Sequence, residues 1–170
     1  MQLTKKGLQV MRIPVATFPF SAILVPVFLA GILSAVSAAE LDRATIKVTA
    51  SSWEQKAKGG WGDMPPERSL DGDLKTAWMA EGDGEWIQYD LGKAQSLKAV
   101  KLAFAKGNER VYTVDILVSE TGADNSWTPV LKAVKNSGKS VEPEPFEFNR
   151  VSARYVRVVG HGNTSAKFPK

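Results

Sequence analysis

The chain has 170 residues, 44% hydrophobic and 24% charged, which suits one packed domain and argues against wholesale disorder. It has no cysteine and one histidine, which excludes a disulfide scaffold, a zinc–thiolate centre and thiol catalysis, and leaves most histidine-dependent chemistry without its parts. Three of the 22 basic residues and none of the 18 acidic ones lie in residues 1–39, so the formal charge of +4 reduces to 19 basic against 18 acidic groups in the rest, and no electrostatic footprint for nucleic acid remains.

The first 39 residues read as a signal peptide. Lys5, Lys6 and Arg12 form a positive start, and no charged residue occurs from Ile13 to Ala39. The apolar stretch Ser21–Val36 runs into Val36-Ser37-Ala38-Ala39, a small-residue exit that fits cleavage after Ala38 or Ala39. Met11 offers an alternative start. The uncharged run of 27 residues is also long enough to serve as an N-terminal membrane anchor. Pro14, Pro19, Pro26 and the small-residue exit favour cleavage. The expectation is a secreted or periplasmic protein of a bacterial envelope, touching membrane only through this segment.

From Glu40 onward the hydrophobic period is two. Ile46 and Val48 alternate with polar neighbours. Ile87, Tyr89 and Leu91 face opposite to Trp86, Gln88 and Asp90. Val100, Leu102 and Phe104 form one row, and Tyr112, Val114, Ile116 and Val118 another. Phe146 and Phe148 flank Glu147, and Tyr155, Arg157 and Val159 oppose Val156 and Val158. Turn clusters separate these runs at Gly59-Gly60, Asp71-Gly72-Asp73, Glu81–Gly84, Lys106-Gly107-Asn108 and Ser137-Gly138-Lys139. No amphipathic helix stands out, so the fold class is all-β, a sandwich or barrel. Trp78 and Trp86 are expected in the core, Trp127 at its edge, and Tyr112 and Tyr155 in core-facing rows.

Few residues are placed for chemistry. His161 lies between glycines after a strand, with no Ser in a nucleophile-elbow setting and too few nitrogen or sulfur ligands for zinc. The carboxylates sit mostly in turns, where solvation is the default. The sequence therefore predicts no catalytic residue. The turn Arg68–Thr76 crowds oxygen atoms as calcium requires, but on spacing alone a solvated Asp-Gly turn is the preferred reading. Trp53 and Trp61 lie in the polar stretch SSWEQKAKGGWGD, where an indole either meets a ligand or staples its own loop.

Taken in order, Thr49-Ala50-Ser51-Ser52, Arg68–Asp73, Thr76-Ala77-Trp78, Glu85–Gly92, Asp115–Ser119 and Ala153–Asn163 resemble the coagulation factor 5/8 type C, or discoidin, domain. Within that family the sequence is similar to family 32 carbohydrate-binding modules attached to bacterial polysaccharide lyases, alginate lyases among them. The resemblance spans roughly residues 45–165. It implies an eight-stranded jelly-roll sandwich of the galactose-binding-domain type, with ligand loops at one end and a structural calcium beneath them. Carried over residue by residue, the calcium would take the Arg68 carbonyl, the Asp71 side chain, the Asp73 backbone oxygen and the Thr76 hydroxyl. The sugar site would take Lys106, Asn108 and Arg110, with His161 and Asn163 nearby and Trp53 and Trp61 in the first loop. Sugar-binding members often place Pro-Arg where this chain has Ala105-Lys106, which counts against a galactose pocket. Lys106 and Arg110 suit an acidic, alginate-like sugar, since a guanidinium grips a carboxylate with two hydrogen bonds.

The resemblance also implies a further C-terminal strand that completes the calcium site and covers the first strand. None is recognisable before Lys170, so the calcium site is expected to be weak, and the open sheet edge invites association. The function expected is noncatalytic binding of polysaccharide. Two alternatives stand beside it: a targeting piece of a polysaccharide lyase, and an adhesion or membrane-surface module using Trp53, Trp61 and Phe168 as spikes.

Overall fold

The computed structural model describes residues 7–11, 16–17, 39–55 and 62–165; Trp61, Phe168 and the expectation of a missing final strand fall outside them. Among the described residues there are nine strands: β1 (Gly7–Met11), β2 (Ala16–Thr17), β3 (Ala39–Glu40), β4 (Lys47–Ala50), β5 (Trp78–Glu81), β6 (Trp86–Phe104), β7 (Tyr112–Ser119), β8 (Thr128–Lys135) and β9 (Glu144–Asn163). Every pairing is antiparallel. Helical structure there is confined to the 3-10 turns Arg43–Thr45 and Pro66–Ser69. The architecture is the jelly-roll sandwich that the sequence predicts.

Two long strands organise it. The first half of β6, residues 86–90, pairs with β4 and with residues 155–159 of β9. In the second half, residues 99–102 pair with residues 144–147, and Ala103 and Phe104 pair with β1. Register shifts at Asp90/Gln95 and Leu97/Ala99 mark where this ribbon bends from one layer to the other. Four single strands (β4, β5, β7, β8) and two that each serve twice (β6, β9) give the eight runs of the jelly roll from Lys47 onward. The bend has a local cause. The Asp90 side chain accepts from the Gly92 amide at 2.8 Å, and Gly92 takes φ +79°, a conformation glycine adopts without penalty. Arg154 of β9 then grips both Asp90 oxygens at 2.8 Å, tying the two strands at the corner. That hydrogen-bonded guanidinium holds the Asp90 carboxyl below its ordinary range.

The inward rows are those the alternation indicated. Ile87, Tyr89, Val100, Leu102, Tyr112, Val114, Ile116, Val156 and Val158 are fully buried, joined by Trp78 and Leu97. Phe104 stacks on Tyr112 at 5.1 Å and meets Phe146 edge-on at 6.1 Å.

Two aromatic placements differ from expectation. Trp86 is not in the core, and Tyr155 is not in a core-facing row; both are half-buried on the outer face. There Arg157 lies between the rings of Trp86 (4.2 Å) and Trp127 (3.9 Å), its Nη2 donating to Gln88 at 2.7 Å. Arg154 lies over Tyr155 at 4.9 Å. The loop from 120 to 127 folds over this face, so its aromatics are covered without belonging to the core.

The sheet has two relevant edges. β4 pairs only with β6 among the described residues, and β8 ends the strand order. β1 fills a place between β5 and β6, and it is the only ladder partner of β5 among the described residues.

Candidate functional site

The strand registers gather several loops at one end of the sandwich. Ala50 faces Ile87, Trp86 faces Val159, and Tyr112 faces Asn163. The end of β4, the starts of β6 and β7 and the end of β9 therefore share that end, together with the loop 105–111 and the segment that follows Lys135, which faces Thr113.

Lys106, Asn108 and Arg110 stand together in the loop 105–111. Lys106 and Asn108 are exposed, and Arg110 is half-buried. Lys106 takes φ +54°, a strained conformation for a residue with a Cβ. The next residue leaves no choice: a Cβ on Gly107 would lie 2.4 Å from the Ser140 carbonyl oxygen and 2.9 Å from that of Phe104. The Lys106 ammonium lies 3.5 Å from Glu109, both well exposed, a pair worth at most about 1 kcal/mol. The end of β9 closes the loop, with Thr164 N donating to Val111 O and Val111 N donating to the Thr164 hydroxyl, each at 3.0 Å.

Asn163 is 5% exposed, and its Oδ1 accepts from the Ser165 amide at 2.8 Å, so it shapes the turn beside the loop. His161 is committed elsewhere. Its Nδ1 lies 3.0 Å from Asp83 and its Nε2 3.2 Å from Asp115, so both nitrogens face carboxylates. Burial alone would lower its pKa, but the hydrogen bonds and charge of Asp83 and Asp115 carry it above the ordinary imidazole value. Held between the two carboxylates, the His161 ring fastens the loop at Asp83 to β7. Asp115 also accepts from the Ala133 amide at 2.6 Å, where β8 takes φ +50°.

This arrangement makes stability pH-dependent. A group whose folded pKa is raised contributes fully below its unfolded pKa, about 6.5 for histidine, and loses the contribution as pH rises through the folded value. The melting temperature is therefore expected to fall more between pH 6 and 8 in the wild type than in His161→Gln. Parallel curves for the two proteins would contradict the clasp.

Trp53 stands at the same end, 44% exposed, on the segment after β4. The segment is anchored on both sides of it, with the Glu54 amide after it donating to the Met79 carbonyl at 2.7 Å. The hydroxyls of Ser51 and Ser52 donate to Glu85, the latter at 2.8 Å, and the Ser52 carbonyl accepts from Trp78 Nε1 at 2.9 Å. These bonds fix the backbone beside Trp53 and leave its side chain partly exposed.

The turn expected to hold calcium brings three of its four oxygens together. The Thr76 hydroxyl donates to Asp71 at 2.5 Å and lies 3.0 Å from the Asp73 carbonyl, while Asp71 also accepts from the Asp73 amide at 2.8 Å. Arg68 belongs to the preceding 3-10 turn. Among the described residues no three His, Cys, Asp or Glu side chains cluster in metal-holding geometry. A cation here would therefore rely on carbonyl and hydroxyl oxygen beside one carboxylate, a donor set that fits calcium better than a transition metal.

Sequence reasoning missed Asn136, which lies 4% exposed under the loop 105–111. A lone Asn between a strand and a Ser-Gly turn reads as turn material, and nothing local distinguishes it.

The F5/8 type C domain profile matches residues 47–170. Comparison with curated protein sequences finds no match. Among solved structures, the CBM32 of AlyQ in complex with 4,5-unsaturated mannuronic acid is 34% identical, with a TM-score of 0.61, over 70% of this chain and 84% of that one. A truncated AlyQ joining CBM32 and alginate lyase domains matches at the same identity and TM-score, and the match covers 28% of its length and 70% of this chain. A pectin-binding carbohydrate-binding module is 29% identical, with a TM-score of 0.59, over 69% of this chain and 78% of the module.

Proposed function

The chain belongs to the F5/8 type C domain family, and from that premise we propose that it is an exported, noncatalytic module that binds an acidic polysaccharide of the alginate or pectin kind. One observation carries the reading: Lys106, Asn108 and Arg110 are presented on a rigid loop at the end where β4, β6, β7 and β9 converge, with an exposed indole at Trp53. Two of the similar structures are a module in complex with 4,5-unsaturated mannuronic acid and a pectin-binding module. A cationic loop beside an aromatic ring suits a uronate chain, because the guanidinium takes the carboxylate and the indole takes the sugar's C–H face. The full chain should be retarded in gels containing alginate or pectate and not in gels containing a neutral glucan. Equal mobility in all of them would end this reading.

A second reading extends the first. In the truncated AlyQ the related module is joined to alginate lyase domains, which supports a targeting role beside a lyase. The module itself is then expected to generate no unsaturated uronate from alginate.

Calcium is part of the proposal. Asp71, the Asp73 carbonyl, Thr76 and the Arg68 carbonyl would hold it, and it would brace the turn that leads into Trp78. Four protein oxygens are fewer than the six to eight calcium takes, so affinity is weak, and binding at a concentration near Kd adds little stability. Millimolar calcium should raise the melting temperature by a degree or two, and Asp71→Ala should abolish the rise. A micromolar affinity would show that other oxygens complete the site.

A further inference from the structure

Arg110 reaches the ligand end from a loop with strain at Lys106 and no room at Gly107, so something must hold that loop. Two buried side chains do. Asn136 spends its whole carboxamide on it: Oδ1 accepts from the Tyr112 amide at 2.6 Å, and Nδ2 donates to the carbonyls of Gly107 and Arg110, each at 3.1 Å. Tyr112, fully buried and stacked on Phe104, sends its hydroxyl to the Ala105 carbonyl at 2.8 Å. The Arg110 side chain lies near the same hydroxyl, close enough for its charge to act on it. The main chain around Arg110 is thus fixed from below, with the Tyr112 hydroxyl beside the side chain.

We propose that Tyr112 and Asn136 are the positioning residues of the ligand site, acting through Arg110 to present its guanidinium for a uronate carboxylate. The inference rests on the acidic-sugar reading above and names what enforces it. Neither residue is exposed enough to meet a polysaccharide. An arginine ordered in advance gives up less rotamer freedom on binding, so the gain is in affinity, and it is specific to charged ligands. Burial raises the Tyr112 pKa above its ordinary value, so the hydroxyl keeps its proton and remains a donor to Ala105 at neutral pH.

The test uses the full chain, tetramannuronate as probe and calorimetry as readout, with Arg110 Nε order parameters measured in the ligand-free protein. Tyr112→Phe removes one oxygen and keeps the ring. It should weaken binding by roughly three- to tenfold, the range of one net hydrogen bond, and lower the Arg110 Nε order parameter. Asn136→Ala should weaken binding more than tenfold; should it fail to fold, Tyr112→Phe still decides. In an Arg110→Ala background Tyr112→Phe should have no further effect on affinity, whereas a merely structural role would persist there. Unchanged Arg110 order, or an equal loss in both backgrounds, would overturn the proposal. Should the wild type bind no oligouronate, the acidic-sugar reading fails by itself, and the Nε order alone decides whether the lock exists.

Discussion

Arg110→Ala is expected to release the protein from alginate, with affinity falling roughly ten- to a hundredfold, the range for losing charge-assisted hydrogen bonds worth about 1.5–3 kcal/mol. Arg110→Lys should recover little, because an ammonium offers neither the planar fork nor the same reach to the Tyr112 hydroxyl. Lys106→Ala should cost less than either. That side chain is exposed and already shares its charge with Glu109. Raising the salt concentration should weaken the wild type more than Arg110→Ala, since screening acts on the charge the variant lacks. Affinity electrophoresis at two ionic strengths checks all of this, and wild-type mobility for Arg110→Ala would remove the residue from the site.

The second large effect lies in the core. Trp78→Ala is expected to cost about 3–5 kcal/mol, the range for deleting a large buried aromatic. Trp78 is fully buried, and its indole nitrogen donates to the Ser52 carbonyl. Its loss therefore leaves both a cavity and an unpaired acceptor under the loop that carries Trp53. Trp78→Phe separates the two terms: most of the volume remains while the hydrogen bond goes. It should lose far less stability by chemical denaturation, yet still loosen Trp53, detectable as increased quenching of its fluorescence. If Trp78→Phe were as unstable as Trp78→Ala, the hydrogen bond rather than the packing would dominate.

The rows Ile87-Tyr89-Leu91 and Val114-Ile116-Val118 were legible because alternation maps directly onto the two faces of a strand. Trp86 and Tyr155 were misplaced because an aromatic in an alternating row indicates burial, not which layer supplies it. Here the loop 120–127 does so, laying Trp127 over Arg157 on the outer face. The candidate loop 105–111 was legible through the family resemblance, while the parts that hold it were not. Asn136 meets Gly107 29 residues away and Tyr112 24 away, and His161 meets Asp83 78 residues away. Pairings of that separation leave no trace in local pattern.

The far end of β9 ties together the loops of the candidate site. Gly160 exchanges hydrogen bonds with Gly84 and Glu85, and Thr164 with Val111. Since β9 also lies between β6 and β7, neither the Trp53 side nor the Arg110 side can settle until the chain has been synthesised past Thr164. Assembly of the binding surface is therefore a late, all-at-once event that must wait for pairings across more than sixty residues, as between Asp90 and Arg154. Such long-range closure slows folding relative to local structure. A nascent chain emerging from a ribosome or a membrane pore thus cannot present this surface until Thr164 has cleared the exit.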